Sequence, residues 1–151
     1  MIEDVVLSGL WSISPLGEAK VGIPYGIAKG GNIYIIFLVC FLANVLVFPL
    51  MLFFLNTVNT QLLKWRFYKE YAIKFAQKAK KGTKDKVKKY GFWGLMFFVM
   101  LPVPGTGVYA GTIAAFILKV EKNKAFWANC IGIFISSVIV WTTTLLAMQA
   151  F

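Results

Sequence analysis

The stretch "LPVPGTGVYAG", residues 101–111, decides the fold. It lies near the centre of a run from Gly91 to Leu118 that carries no charge. Such a run exceeds the roughly 20 apolar residues that carry a helix across the hydrocarbon of a bilayer. Two prolines and three glycines nevertheless stand inside it. Proline removes a backbone donor and clashes with the preceding turn, and glycine disfavours the helix. An ordinary spanning helix is therefore not expected here. A break at membrane depth is, and such backbone survives only when it is buried in protein or lines a wet cavity.

The rest of the chain gives the break its setting. Ile33 to Leu55 and Ala125 to Phe151 are also uncharged and long enough to span. The 151 residues are 59% hydrophobic, well above the 45–50% usual for soluble domains. A single all-α integral membrane domain, residues 1–151, is the expectation. The opening "MIEDVVLSGLW" is acidic. A cleavable signal peptide wants a basic start, so no targeting segment is read there. Cys40 and Cys130 fall within uncharged runs and read as buried apolar thiols. With no histidine and no cysteine cluster, neither a metal site nor a cofactor is expected.

Charge sets the topology. Residues 64–89 hold eleven Lys and Arg against Glu70 and Asp85, most of the net charge of +10. In a soluble protein this would suggest nucleic acid. In a membrane protein it marks the cytoplasmic side, and no nucleic-acid partner is expected. Leu62, Trp65, Tyr68, Ala72, Phe75 and Ala79 recur every three or four residues among these lysines. That predicts an amphipathic helix on the cytoplasmic surface, ended near Gly82, within a loop of about 57–90. It would meet anionic headgroups or remain a solvated loop. Lys119, Glu121, Lys122 and Lys124 form a second basic turn that also prefers the cytoplasm. Both sides of Gly91–Leu118 then face the cytoplasm. The segment becomes a re-entrant hairpin turning at Pro102–Gly107, and both termini lie outside.

A shift of 85 residues places Gly22 on Gly107, Gly26 on Gly111, and Phe41, Ala43 and Asn44 on Phe126, Ala128 and Asn129. This predicts an inverted repeat. Each half is a re-entrant helical hairpin followed by a transmembrane helix, over about 12–56 and about 91–150. Inverted repeats whose discontinuous segments meet near the midplane are common in secondary transporters. The glycine pairs either allow close packing or line a route.

Within "SPLGEAKVGIPYGI", residues 14–27, Glu18 and Lys20 fall near the tip of the first hairpin. An ionisable residue inside the membrane is a functional candidate. Glu18 is a candidate proton site, because loss of water favours the neutral acid. Lys20 could neutralise it or attract an anionic headgroup. Both could instead anchor the loop at the outer interface. Asn44 and Asn129 either satisfy loose hairpin backbone or line the route.

"SPLGEAKVGIP" followed later by "LPVPGTGVYAG" resembles the family called putative small multidrug export proteins. That family is similar to the DedA/VTT superfamily, whose members carry paired re-entrant loops facing each other. The first motif places Pro15, Glu18, Lys20, Ile23 and Pro24, with Gly17 between them. Lys20 stands where the family usually has Arg, which weakens the case for two-pronged phosphate recognition. The second motif places Pro102, Pro104, Gly105, Thr106 and Gly107, then Tyr109 where Trp is common, and Gly111. The resemblance implies movement of lipids such as polyprenyl phosphates or phospholipids, in some members driven by protons.

Three functions follow: a transporter or flippase for an anionic amphiphile, a small cation or drug exporter, and a non-transporting scaffold. An enzyme is not expected, for there is no Ser/His/Asp set, no phosphate-binding glycine loop and no paired carboxylates. Membrane lipids are the expected partners. A homodimer or larger assembly is expected too, because two spans enclose little.

Overall fold

A computed structural model describes residues 2–62, 64, 66, 70, 91–103 and 106–150. The described residues form six helices and no strand. In chain order they are α1 (Ile2–Ile13), α2 (Glu18–Ala28), α3 (Ile33–Leu62), α4 (Phe92–Met100), α5 (Val108–Ile117) and α6 (Lys122–Ala150). The expected amphipathic helix, its end at Gly82 and most of the basic loop lie outside the described residues, as do Pro104 and Gly105.

Among the described residues, two helices are long and apolar enough to cross a membrane, over Ile33–Thr57 and Lys122–Ala150. Asn32 starts the first. Its Oδ1 accepts the amide protons of Tyr34 at 3.0 Å and Ile35 at 3.3 Å, satisfying donors that have no partner within the helix. Leu38, Leu42, Leu46 and Leu50 then form an exposed stripe at four-residue spacing. An apolar stripe of that length is the face of a helix that meets something other than water. The two long helices run antiparallel. Tyr34 meets Trp141 near one end, Phe37 and Phe41 meet Phe134, and Phe48 meets Phe126 toward the other.

The other four helices are short. At 1.5 Å per residue, 9 to 12 residues give roughly 14–18 Å, about half of the roughly 30 Å hydrocarbon thickness. α1 was not assigned from sequence. Its Glu3 and Asp4 favour the positive end of the helix dipole. Its small face of Ser8, Gly9 and Ser12 is buried. α2 folds back along that face. A Cβ at Gly22 would overlap Ser12 and the Ser8 carbonyl, and one at Gly26 would overlap Ser8 and Ile36. Only hydrogen fits at this approach. α2 continues through Pro24, so the helix breakers cluster in the turn before it.

The α4–α5 pair is arranged differently. α4 packs chiefly on α6, while α5 packs on α3 and α6. The backbone is extended at Leu101, and α5 begins at Val108. Pro102 and Gly107 thus fall between the two helices, where the sequence predicts a break. α2 likewise contacts both long helices, so each short returning helix touches both.

Two apolar clusters form the core. Along α3, Ile36 and Cys40 belong to one, and Val47 and Phe48 to the other. Along α6, Val140 belongs to the first, and Ala128 and Ile133 to the second. Asn44 falls between the clusters on α3, and Ser136 and Ser137 fall between them on α6. A buried polar layer therefore lies near the middle of both long helices.

Candidate functional site

The turns of the two hairpins meet at this polar layer. Glu18 opens α2 and is 3% exposed. Its φ of +53° is left-handed, a conformation that costs a non-glycine residue about 1–3 kcal/mol and persists only when its surroundings enforce it. Lys20 lies two residues on. Its Nζ is 3.3 Å from Glu18 Oε2 and donates to the Val103 carbonyl at 2.8 Å. It also lies 3.4 Å from Thr106 Oγ1. The break itself supplies these acceptors. Outside a helix the Val103 carbonyl accepts from the Thr106 amide at 3.2 Å and, with no i+4 amide on it, has room for side-chain donors. Thr106 Oγ1 stabilises the same turn, 2.9 Å from the Leu101 carbonyl and 2.8 Å from that of Val103.

The carboxylate rests on Gly107. A Cβ there would overlap both of its oxygens. The backbone amides of Tyr109 and Val108 lie beside it at the start of α5, where the helix dipole favours negative charge. Glu18 Oε1 nevertheless has no hydrogen-bond partner among the described residues. Tyr109 completes the join by donating its hydroxyl to the carbonyl of Ile13, the last residue of α1. The first turn is thus tied to the second through Lys20, Glu18 and Tyr109.

Behind the pair is a small cavity lined by Glu18, Ala19, Lys20, Asn44, Val99, Gly107, Ile133, Ser136 and Ser137, with about 10 Å³ of room for the centre of a water-sized particle. Asn44, Ser136 and Ser137 are at most 4% exposed. Asn44 Oδ1 and both serine hydroxyls have no partner among the described residues. The structure therefore brings Asn44 to Glu18 and Lys20, but not Asn129. Asn129 donates to the Ala125 carbonyl at 2.8 Å, and its Oδ1 fills the place a Cβ on Gly111 would need.

The remaining motif residues shape the turns. Pro15 and Pro102 are exposed. A side chain at Gly17 would meet the Trp11 carbonyl. Ser136 and Ser137 were not singled out from sequence. An adjacent serine pair mid-way along an apolar run was the available signal. The Val103 carbonyl had no signal, since every residue carries one.

Among comparisons with known proteins, a family model described as "Putative small multi-drug export protein" matches residues 18–139, which is more than half of the chain. No curated protein and no solved structure matches.

Proposed function

The chain belongs to the small multi-drug export family, and we propose that it is a membrane transporter whose central site is the Glu18–Lys20 pair. The observation that carries this reading is that one ion pair, its carboxylate buried, joins both hairpin turns beside the middle of the two long helices. Each short helix is too short to cross. In this reading α1–α2 and α4–α5 are re-entrant hairpins entering from opposite faces, and the two halves form an inverted repeat. The Lys29 end faces outside with both termini, and the Lys119 end faces the cytoplasm.

The substrate in this reading is an anionic amphiphile, such as a phospholipid or polyprenyl phosphate. Charge balance supplies the mechanism. A buried site tolerates a neutral pair and penalises a lone charge. A phosphate that takes Glu18's place on Lys20 keeps the site neutral only if Glu18 gains a proton. Loading the anion and protonating Glu18 are thus one coupled event, and their reversal restores the internal pair. The apolar tail would follow the exposed leucine face of α3. Surrounding lipid and a second copy of the chain would cover the remaining apolar surface.

A second reading, export of an amphiphilic cation, also has support. Lys20 already has two neutral acceptors, so it can release the carboxylate to a cation. Proteoliposomes separate the two. Translocation of a labelled lipid phosphate without efflux of a cationic dye supports the first reading. Dye efflux without lipid movement overturns it in favour of the second.

A further inference from the structure

The exchange of Glu18 for a phosphate uses the side of the carboxylate that faces Lys20 and leaves the polar atoms behind it without a role. Four of them belong to residues that line one cavity: Glu18 Oε1, Asn44 Oδ1, Ser136 Oγ and Ser137 Oγ. All four are buried and have no partner among the described residues, which is costly unless something else satisfies them. The serines are the clearest case. A hydroxyl in an apolar helix ordinarily bonds back to its own carbonyls. Further along α6, Thr142, Thr143 and Thr144 do this, at 2.7–2.9 Å. Ser136 and Ser137 do not, although both are buried.

We infer that these four oxygens form a site for one monovalent cation of sodium size. The donors are all oxygen, which suits a hard cation and excludes the softer metals that prefer sulfur or imidazole. There is a single carboxylate, and it already faces an ammonium, so the site has too little negative charge for a divalent ion. The cavity's room, about 10 Å³, holds one small particle and no hydration shell. The ligands come from three helices, α2, α3 and α6, so an ion there would tie the first hairpin to both long helices. Lys20 keeps the Val103 carbonyl and Thr106 as acceptors. Lys20 also lines the cavity, but its side chain is 11% exposed. It can therefore loosen from Oε2, leave the carboxylate's charge to the ion, and have its own charge met by the neutral acceptors and by a solvent or substrate anion. The site would then be a second means of neutralising Glu18, besides a proton. It follows from the oxygens and does not depend on what the protein transports.

The test is equilibrium binding to the purified full-length protein in detergent. Titration with sodium chloride at constant ionic strength, balanced with choline chloride, is followed by calorimetry and by thermal unfolding. Saturable one-to-one binding and a rise of several degrees in melting temperature with sodium, but not with choline, is the expected result. Ser137→Ala and Asn44→Ala should each weaken sodium binding at least tenfold. Thr143→Ala, whose hydroxyl bonds only within α6, should leave it unchanged. Equal responses to sodium and choline would overturn the inference, leaving the cavity to a bridging water. So would undiminished sodium binding in Ser137→Ala and Asn44→Ala. Sodium binding without any lipid-phosphate translocation would refute the proposed function and leave the cation site standing.

Discussion

Replacing Gly107 with alanine adds one methyl group at the point where the two hairpins touch. That methyl would occupy the space of the Glu18 carboxylate. The carboxylate is the end of a flexible side chain, but it is not free to swing. It is buried, it holds Lys20 at 3.3 Å, and Lys20 is held in turn by Val103. Two outcomes bracket the cost. If the pair shifts as a unit, the penalty is that of overpacking, about 1–3 kcal/mol. If the pair breaks, it is that of an uncompensated buried charge, about 3–5 kcal/mol. A loss of about 3 kcal/mol corresponds to roughly 6–12 °C in melting temperature for a chain of this size. The assay is a double-mutant cycle on thermal or chemical unfolding in detergent. Glu18→Ala removes the atoms that the methyl would strike. In that background Gly107→Ala should cost less than about 1 kcal/mol, so the two sites should couple strongly. An equal cost in both backgrounds would refute the reasoning, because the clash would then lie elsewhere.

Other substitutions probe the rest of the account. Gly22→Leu and Gly111→Leu should each lower the melting temperature by several degrees more than Ala28→Leu does, since Ala28 is exposed and both glycines are in close contact; equal tolerance would remove the close-packing argument. Lys20→Arg should be the mildest change at the pair, because it keeps the charge and adds a two-pronged donor for phosphate. A loss of transport as large as that of Lys20→Ala would show that the compact ammonium itself is required. Cysteines introduced at Lys29 and at Lys122 should label from opposite faces of oriented vesicles, and labelling of both from one face would contradict the proposed topology.

How far the sequence reveals this arrangement depends on the kind of signal. The break at 101–107 was legible, because proline and glycine act on the backbone locally. The long helices were legible from uncharged length alone. α1 was not, since "MIEDVVLSGLW" has too few apolar residues in a row to register as a span. Its helix is stabilised by packing its small face against Gly22 and Gly26. Glu18 and Lys20 were legible as charges misplaced in an apolar setting. Their contact with Val103 and Thr106 was not, because it spans 83 and 86 positions in the chain. Asn44 and Asn129 looked equivalent under the 85-residue shift, yet only Asn44 lines the cavity. Asn129 instead fills the space beside Gly111 on α5.

The central claim is that Glu18 is the proton-linked half of the transport site, and the pH profile of a single variant tests it most directly. Glu18→Gln keeps nearly the same volume and can still accept from Lys20, so the folded protein should persist, but the amide cannot titrate. In proteoliposomes, lipid-phosphate translocation by the unsubstituted protein should vary with pH across the range where Glu18 gains and loses its proton. The Glu18→Gln protein should show a flat profile at reduced rate. A Glu18→Gln protein that transports at the full rate with an unchanged pH profile would contradict the account and reduce the ion pair to a structural tie between the hairpins.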